Sequence, residues 1–185
     1  MIDEYLSWAS NIIFWDRITS ISFHQPVNSR DIRVLFLQLI NLRILTLIYE
    51  LDCGILDLEG DISSIDLMED ESLCKILTSN GLRQLNLITR ESQSNWINLG
   101  YRIVRLLPYL EVIEMHGRRK QVDLIKMASI LINGLSKLSF IALSGSDEIH
   151  SVYKNDITLF DLNTRSFRME MSNGLPSGDT LVIWL

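Results

Sequence analysis

A six-residue pattern, apolar-x-x-apolar-x-apolar, recurs along the chain and constrains its fold more than any other feature. The pattern begins at residues 18, 42, 62, 82, 110 and 138, so the intervals are 24, 20, 20, 28 and 28 residues. The match at 62 is the weakest, because it lies in an acidic stretch. A pattern that returns at this interval is typical of proteins built from stacked repeats, in which each unit buries its apolar side against its neighbours.

The segments between these matches carry a different periodicity. Their apolar residues are spaced towards 3.6 instead of 2, which predicts helices. Asn80-Gly81 is a favourable end for the second helix, and Pro108 ends the third. Strand and helix therefore alternate, which predicts a parallel sheet with helical crossovers. The predicted helical segments are 29–42, 69–81, 94–110 and 121–135.

The composition of the predicted strands separates two α/β arrangements. In a doubly wound sheet both faces are covered and the strands are apolar throughout. Here a polar residue lies between two apolar residues in each of three strands, namely Thr46, Asn86 and Glu114. We therefore predict a short α/β leucine-rich-repeat-like solenoid, with parallel strands on the concave side and helices on the convex side. The predicted core consists of Leu42, Leu45, Leu47, Leu82, Leu85, Leu87, Leu110, Ile113, Met115, Leu138, Ile141 and Leu143.

The chain is interpreted as a single repeat domain, 1–185, with a cap at each end. Residues 1–17 are rich in apolar side chains and predict an amphipathic cap helix, or alternatively an exposed partner-binding helix. Residues 18–145 hold the repeats, and 146–185 are expected to form a β cap. Within that cap we predict strands at 157–162 and 180–185 and a turn region at 172–179, with Trp184 filling the cap and not binding a ligand.

The matches resemble the strand portion of leucine-rich repeats. The family's asparagine position is occupied here by other residues, so its asparagine ladder is missing. The segments "GLRQLNL", "LPYLEVIEM" and the final "LVIWL" are similar to the divergent leucine-rich regions of F-box-type proteins. The F-box itself is absent, so the resemblance implies the substrate-recognition half of a ubiquitin-ligase adaptor and assigns no residue to adaptor binding. The residues at the asparagine position are Pro26, Glu50, Asp70, Arg90, Arg118 and Ser146.

Charge and composition exclude several classes of partner. The formal net charge is −6, and the one dense basic run is Arg118-Arg119-Lys120, which is too short for a nucleic-acid groove. We find no signal peptide and no apolar stretch long enough for a membrane helix. The two cysteines, Cys53 and Cys74, do not form a disulfide framework. We expect an intracellular, cytoplasmic protein that binds neither nucleic acid nor membrane.

The sequence contains no pattern that predicts catalysis. Catalytic and phosphate-binding motifs are missing, and His24, His116 and His150 lack the spacing of metal ligands. We therefore expect no catalytic residue, no metal and no cofactor. The acidic stretch at 57–71 is interpreted as a solvated loop, with an acidic contact patch for a basic partner as the alternative.

The predicted functional surface is the polar side of the strands. Its mixture of polar and scattered aliphatic side chains favours the binding of another protein or peptide, with the oligomeric state left open. Two alternatives remain: a small α/β enzyme with a doubly wound sheet, for which Asp161, Glu50 and Arg90 are candidates, and a truncated repeat segment without independent function. The predicted partner-binding residues are Thr46, Ile48, Asp66, Gln84, Asn86, Ile88, Glu114, His116 and Phe140.

Overall fold

The computed structural model describes residues 14–24, 29–49, 70–89, 96–117, 121–144, 168–175 and 178–185. In these ranges the chain forms four α-helices, seven strands and a short 3-10 turn at Trp15–Arg17. The helices are α1 (Ser29–Gln38), α2 (Glu71–Ser79), α3 (Trp96–Leu106) and α4 (Gln121–Gly134). The strands are β1 (Ser20–Phe23), β2 (Ile44–Tyr49), β3 (Gln84–Thr89), β4 (Val112–Gly117), β5 (Phe140–Ser144), β6 (Arg168–Leu175) and β7 (Gly178–Trp184).

The strands form one mixed, mostly parallel sheet in the order β1-β2-β3-β4-β5-β7-β6. Strands β1 to β5 are parallel neighbours in chain order. β7 pairs antiparallel with β5, and β6 pairs antiparallel with β7. The α/β class and the predicted alternation of strand and helix are thus confirmed for these residues.

The C-terminal hairpin differs in detail from its prediction. A strand at the C-terminus is confirmed, because β7 reaches Trp184. The predicted turn at 172–179 is too long, since β6 continues to Leu175 and β7 begins at Gly178. The predicted strand at 157–162 and most of the predicted N-terminal cap, up to residue 13, lie outside the described residues.

The predicted core is confirmed residue by residue. All twelve pattern residues named above are at most 3 % exposed. They share one cluster with the apolar sides of all four helices, for example Phe36, Leu77, Ile103 and Leu131. Neighbouring helices pack against each other in chain order, α1 on α2, α2 on α3 and α3 on α4. Burying an aliphatic side chain contributes roughly 1.5–3 kcal/mol, so this cluster provides most of the driving force for folding.

The pattern is offset from the strands by two residues. Its first leucine, such as Leu82, lies before the strand in the turn that follows a helix, and β3 begins at Gln84. The N–H of Leu82 bonds to the carbonyl of Leu77 at 3.1 Å, and the N–H of Gly81 bonds to Thr78 at 3.0 Å. These two bonds and the φ of +81° at Gly81 define a Schellman end for α2. The first leucine of each pattern is therefore a buried residue of the turn and does not belong to the strand.

One predicted strand does not take its expected place. The match at 62 predicts a strand between β2 and β3, but these two strands pair directly, with Thr46 opposite Asn86. No further strand therefore separates Thr46 from Asn86, in contrast to the prediction that placed Asp66 between them. The segment itself, at 50–69, is outside the described residues. The interval between the matches on either side is 40 residues, so the chain accommodates a longer connection at this point.

Backbone hydrogen bonds join the turns that precede successive strands. The carbonyl of Arg43 accepts the N–H groups of Arg83 and Gln84 at 2.8 and 2.9 Å. Thr19, Arg83 and Glu111 carbonyls each accept two N–H groups from the next turn in the same way. This ladder satisfies the donors that precede each strand. The residues at the family's asparagine position after β2 and β3, Glu50 and Arg90, lie outside the described residues.

Candidate functional site

The face of the sheet opposite the helical core carries three rows of side chains, and we call it the outer face. Successive side chains of a strand point to opposite sides, so the neighbours of each core residue project onto it. The first row is Ser20, Ile44, Gln84, Val112, Phe140, Trp184 and Arg168. The second row is Ser22, Thr46, Asn86, Glu114, Ala142, Val182 and Glu170. The third row is Ile48, Ile88, His116, Ser144 and Thr180.

The outer face brings together eight of the nine predicted partner-binding residues. Each of the eight is half-buried, as expected for side chains that are flanked on both sides by neighbouring strands. Asp66 is the exception and lies outside the described residues. The eight residues are Thr46, Ile48, Gln84, Asn86, Ile88, Glu114, His116 and Phe140.

Asn86 is the centre of a polar network on strands β2 and β3. Its Nδ2 donates to Thr46 Oγ1 and its Oδ1 accepts from Gln84 Nε2, both at 3.1 Å. Both ends of the Asn86 amide are therefore occupied, and its orientation is fixed by its neighbours. This half of the second row forms a neutral polar surface that is already ordered before any partner binds.

Glu114 follows Asn86 in the second row and has no comparable partner. Its side chain is 34 % exposed, and among the described residues the group beside it that can carry a positive charge is His116, whose Nε2 is 4.0 Å from Glu114 Oε2. That distance is too long for a hydrogen bond. Glu170, in the same row at the sheet edge, is by contrast held in an ion pair by Arg168. The outer face therefore holds one paired and one unpaired glutamate.

His116 is fixed by the neighbouring strand β5. Its Nδ1 lies 2.6 Å from Ser144 Oγ, which is a hydrogen bond whose direction depends on the imidazole tautomer. Burial lowers the pKa of His116 below its ordinary value of 6.5, and the nearby Glu114 carboxylate raises it in part. Burial therefore favours the neutral form of His116.

The contact of Ser144, His116 and Glu114 superficially resembles a nucleophilic triad. A triad needs an accessible hydroxyl and a carboxylate hydrogen-bonded to the second imidazole nitrogen. Ser144 is only 1 % exposed, and the carboxylate lies 4.0 Å away. A substrate carbonyl could not reach the hydroxyl. The arrangement orders the third row and does not form a nucleophilic site.

An aromatic pair lies in the first row, where β5 meets β7. The rings of Phe140 and Trp184 meet edge to face, with centroids 6.0 Å apart. The Arg168 guanidinium lies 5.7 Å from the Trp184 ring. Trp184 is 38 % exposed, so the prediction that it fills the cap is wrong. Its parity along the strand was the available signal, because Leu181 and Ile183 are buried and Trp184 is out of phase with them.

The described residues place limits on other kinds of site. No cluster of three or more His, Cys, Asp or Glu side chains in them could hold a metal ion. Cys74 is buried, and burial raises the pKa of its thiol to about 11, so it is a poor nucleophile. None of the described helices has the length and apolar character needed to cross a membrane.

Comparison with known proteins yielded no match to a protein-family model, to a curated protein or to a solved structure.

Proposed function

We propose that this chain is a protein-binding module, a leucine-rich-repeat-like solenoid that recognises another protein or a peptide with the outer face of its sheet. The chain-order stacking of β1 to β5 supports the solenoid, because a doubly wound sheet reverses its strand order at a switch point. The shared helical core and the direct packing of successive helices support it as well. In this arrangement only one face of the sheet is covered by helices.

The observation that carries the proposal is the composition of the three rows. They combine an ordered amide and hydroxyl network around Asn86, aliphatic residues such as Ile48 and Ile88, and the exposed edge of Trp184. Protein interfaces have this mixture, with aromatic residues as anchors and polar groups that fix orientation. A surface of half-buried side chains on a rigid sheet also loses little conformational entropy on binding.

The two alternatives are less well supported. An enzyme needs an accessible reactive group, and Ser144, which has the best partner geometry, is buried. Among the sequence candidates for the enzyme, Glu50, Arg90 and Asp161 lie outside the described residues. A truncated segment without independent function would need no specific polar network, whereas Asn86 is satisfied at both ends of its amide.

Within this proposal, substrate recognition for a ubiquitin ligase remains the finer hypothesis, and it depends on the resemblance to F-box-type repeats. An intracellular, cytoplasmic setting is part of the same hypothesis. Its test is whether the partner captured by the outer face becomes more abundant in cells that lack the chain, since a degraded substrate accumulates when its receptor is removed.

Site-specific photo-crosslinking tests the binding surface. A photoreactive residue at Thr46, Ile88 or Trp184 should capture the partner, whereas the same residue at Tyr101, which is 61 % exposed on α3, should not. The captured protein is then purified, and its affinity is measured for the chain with Thr46, Asn86 and Glu114 all changed to Ala. An unchanged affinity, or capture from position 101 alone, would remove the outer face as the binding surface.

A further inference from the structure

The two glutamates of the second row differ in their electrostatic surroundings. Glu114 and Glu170 lie in one row across β4, β5, β7 and β6, with Ala142 and Val182 between them. Arg168 neutralises Glu170. Among the described residues, the group beside Glu114 that can carry a positive charge is His116, and burial lowers the pKa of His116 and so favours its neutral form. Within the part of the chain that the structure describes, Glu114 therefore holds a negative charge without an ion-pair partner near the middle of the outer face.

The surroundings of Glu114 are apolar on the side towards the aromatic pair. Ala142 is its neighbour in the row, and Val112 precedes it by two residues on the same strand. Strands lie about 4.8 Å apart and rise about 3.3 Å per residue, so Phe140 is roughly 8 Å from Glu114 and Trp184 about 12 Å. The charge and the aromatic pair are thus close enough to contact neighbouring side chains of one bound peptide.

We propose that the outer face binds a peptide segment with one Arg or Lys close to an apolar side chain, the cation pairing with Glu114 and the apolar group lying on Phe140 and Trp184. The inference rests on the proposed function and specifies the chemistry of the partner. A partner cation supplies the counter-charge that the described residues do not provide at Glu114. In an extended peptide, residues two and four positions apart project on one side about 7 and about 13 Å from each other, which covers the separations of Glu114 from Phe140 and from Trp184.

The net charge of the chain acts in the same direction. A formal charge of −6 raises the local concentration of basic segments near the chain and lowers that of acidic segments. The single central carboxylate then selects the position of the cation, because the polar neighbours Thr46 and Asn86 are already occupied by each other. Specificity for one basic residue, and not for a basic run, follows from having a single unpaired acceptor.

Selection from a random peptide display library tests this inference. The wild-type chain should enrich peptides with Arg or Lys at one fixed position and an apolar residue two to four positions away. The Glu114→Gln variant keeps the shape of the side chain and removes the charge, so it should lose that enrichment. Glu170→Gln is the matched control in the same row and should retain it, because Arg168 already neutralises Glu170.

The affinities of the selected peptides give a second readout. The dissociation constant of a selected basic peptide should rise about tenfold in Glu114→Gln, the usual effect of losing a charged hydrogen bond. It should change less than twofold in Glu170→Gln. Enrichment of Arg and Lys that persists in Glu114→Gln, or wild-type peptides without a basic preference, would overturn the inference.

Crosslinking of the selected peptides separates this inference from the proposed function. Peptides that crosslink to Ile88 or Trp184 but show no basic preference refute the partner chemistry and leave the binding face intact. Peptides that crosslink only to helix residues such as Tyr101 refute both. A dimer of the chain that dissociates in Glu114→Gln, observed by sedimentation, would assign the face to a second copy and also overturn the peptide proposal.

Discussion

The side chain of Asn80 donates a 2.8 Å hydrogen bond to the backbone carbonyl of Phe36 in the preceding helix, 44 positions earlier in the chain. The Phe36 carbonyl is among the last four of α1, which lack partners within the helix. Asn80 itself is buried at the end of α2. One amide thus ties the ends of two successive helices together.

Replacing Asn80 with Ala should destabilise the fold by about 1–3 kcal/mol, because it leaves a buried carbonyl without a donor. Urea denaturation measures the change in the free energy of unfolding. Asn133 provides a matched control, since it also precedes a glycine at a helix end but is exposed and bonds weakly to Ser129. Asn133→Ala should change stability by less than about 0.5 kcal/mol. Equal effects at the two positions would contradict this account.

Gly81 should not tolerate a side chain. Its φ of +81° disfavours L-residues by roughly 1–2 kcal/mol. An added Cβ would also lie 1.7 Å from Arg43 Nη1, which donates to the carbonyls of Asn80 and Gly81. Gly81→Ala should therefore cost about 2–3 kcal/mol in thermal or urea denaturation.

A double-mutant cycle separates the two causes of that cost. With Arg43 already changed to Ala, Gly81→Ala should cost only the backbone strain, about 1–2 kcal/mol. Strict additivity of the two changes would show that displacement of the Arg43 guanidinium plays no part.

Asp70 should make stability depend on acid pH. Its Oδ1 accepts from the Ser72 hydroxyl and from the N–H groups of Ser72 and Leu73, and Arg33 lies 2.5 Å from Oδ2. The pKa of Asp70 is lowered from 3.8 to about 2, and the hydrogen bond from Ser72 is the largest cause. Burial partly opposes this effect, and Arg33 and Leu73 also lower the pKa. A lowered carboxyl pKa contributes stability that is complete above about pH 3.8 and is lost as the pH falls towards 2.

The comparison with Asp70→Asn isolates this contribution. Asn can still cap α2 but carries no charge. The wild-type chain should be more stable than Asp70→Asn at pH 6, and the difference should shrink between pH 4 and pH 2 when urea denaturation is repeated at each pH. A difference that stays constant over that range would contradict the charge-based explanation.

His116 should titrate below its ordinary pKa of 6.5, because burial disfavours its charged form. Since the unfolded chain binds this proton more readily, the contribution of His116 to stability is present above pH 6.5 and decreases as the pH falls below it. NMR titration of the imidazole signals measures the pKa, and His116→Gln assigns the resonance.

The same titration tests the influence of Glu114 on His116. Glu114→Gln should lower the pKa of His116 further, because the carboxylate favours the protonated imidazole. Glu170→Gln should leave the pKa of His116 unchanged, because Glu170 is on β6, which is two strands away from β5 in the sheet. An increase in Glu114→Gln would mean that the two side chains do not interact as described.

Leu87 and Ile88 are adjacent residues of β3 that project to opposite sides of the sheet. Leu87 is in the core and Ile88 is half-buried on the outer face. Leu87→Ala should cost about 2–5 kcal/mol in urea denaturation, and Ile88→Ala about 1 kcal/mol. The reverse order would mean that the faces of the sheet have been assigned wrongly.

Local periodicity predicted much of this fold from sequence. The parity of residues such as Leu85 and Leu87 identified the buried side of each strand, because a period of two is a local property of the chain. Asn80-Gly81 identified the end of α2 for a similar reason, since a positive φ at glycine is decided by its immediate neighbours. These features require no knowledge of which strands are adjacent.

Contacts between strands were not predictable in this way. The register that places Thr46 beside Asn86 depends on the connection between β2 and β3, and the match at 62 suggested an additional strand there. With that strand included, Asp66 and not Thr46 would be the neighbour of Asn86. The contact of His116 with Ser144 and the distance of 4.0 Å between His116 and Glu114 likewise depend on how the strands pair and lie, which the periodicity along one strand does not predict.

The antiparallel strand β7 blocks the addition of a further parallel unit after β5. Leu181 and Ile183 pair with Leu143 and Ile141 and occupy the sites where a further parallel unit would insert its own leucines. An additional copy of the unit placed after β5 would have to displace this hairpin before it could bury anything. If the chain is lengthened by duplication of a unit, the new copy should therefore be inserted before β5. The hairpin of β6 and β7 should still end the sheet after such an insertion.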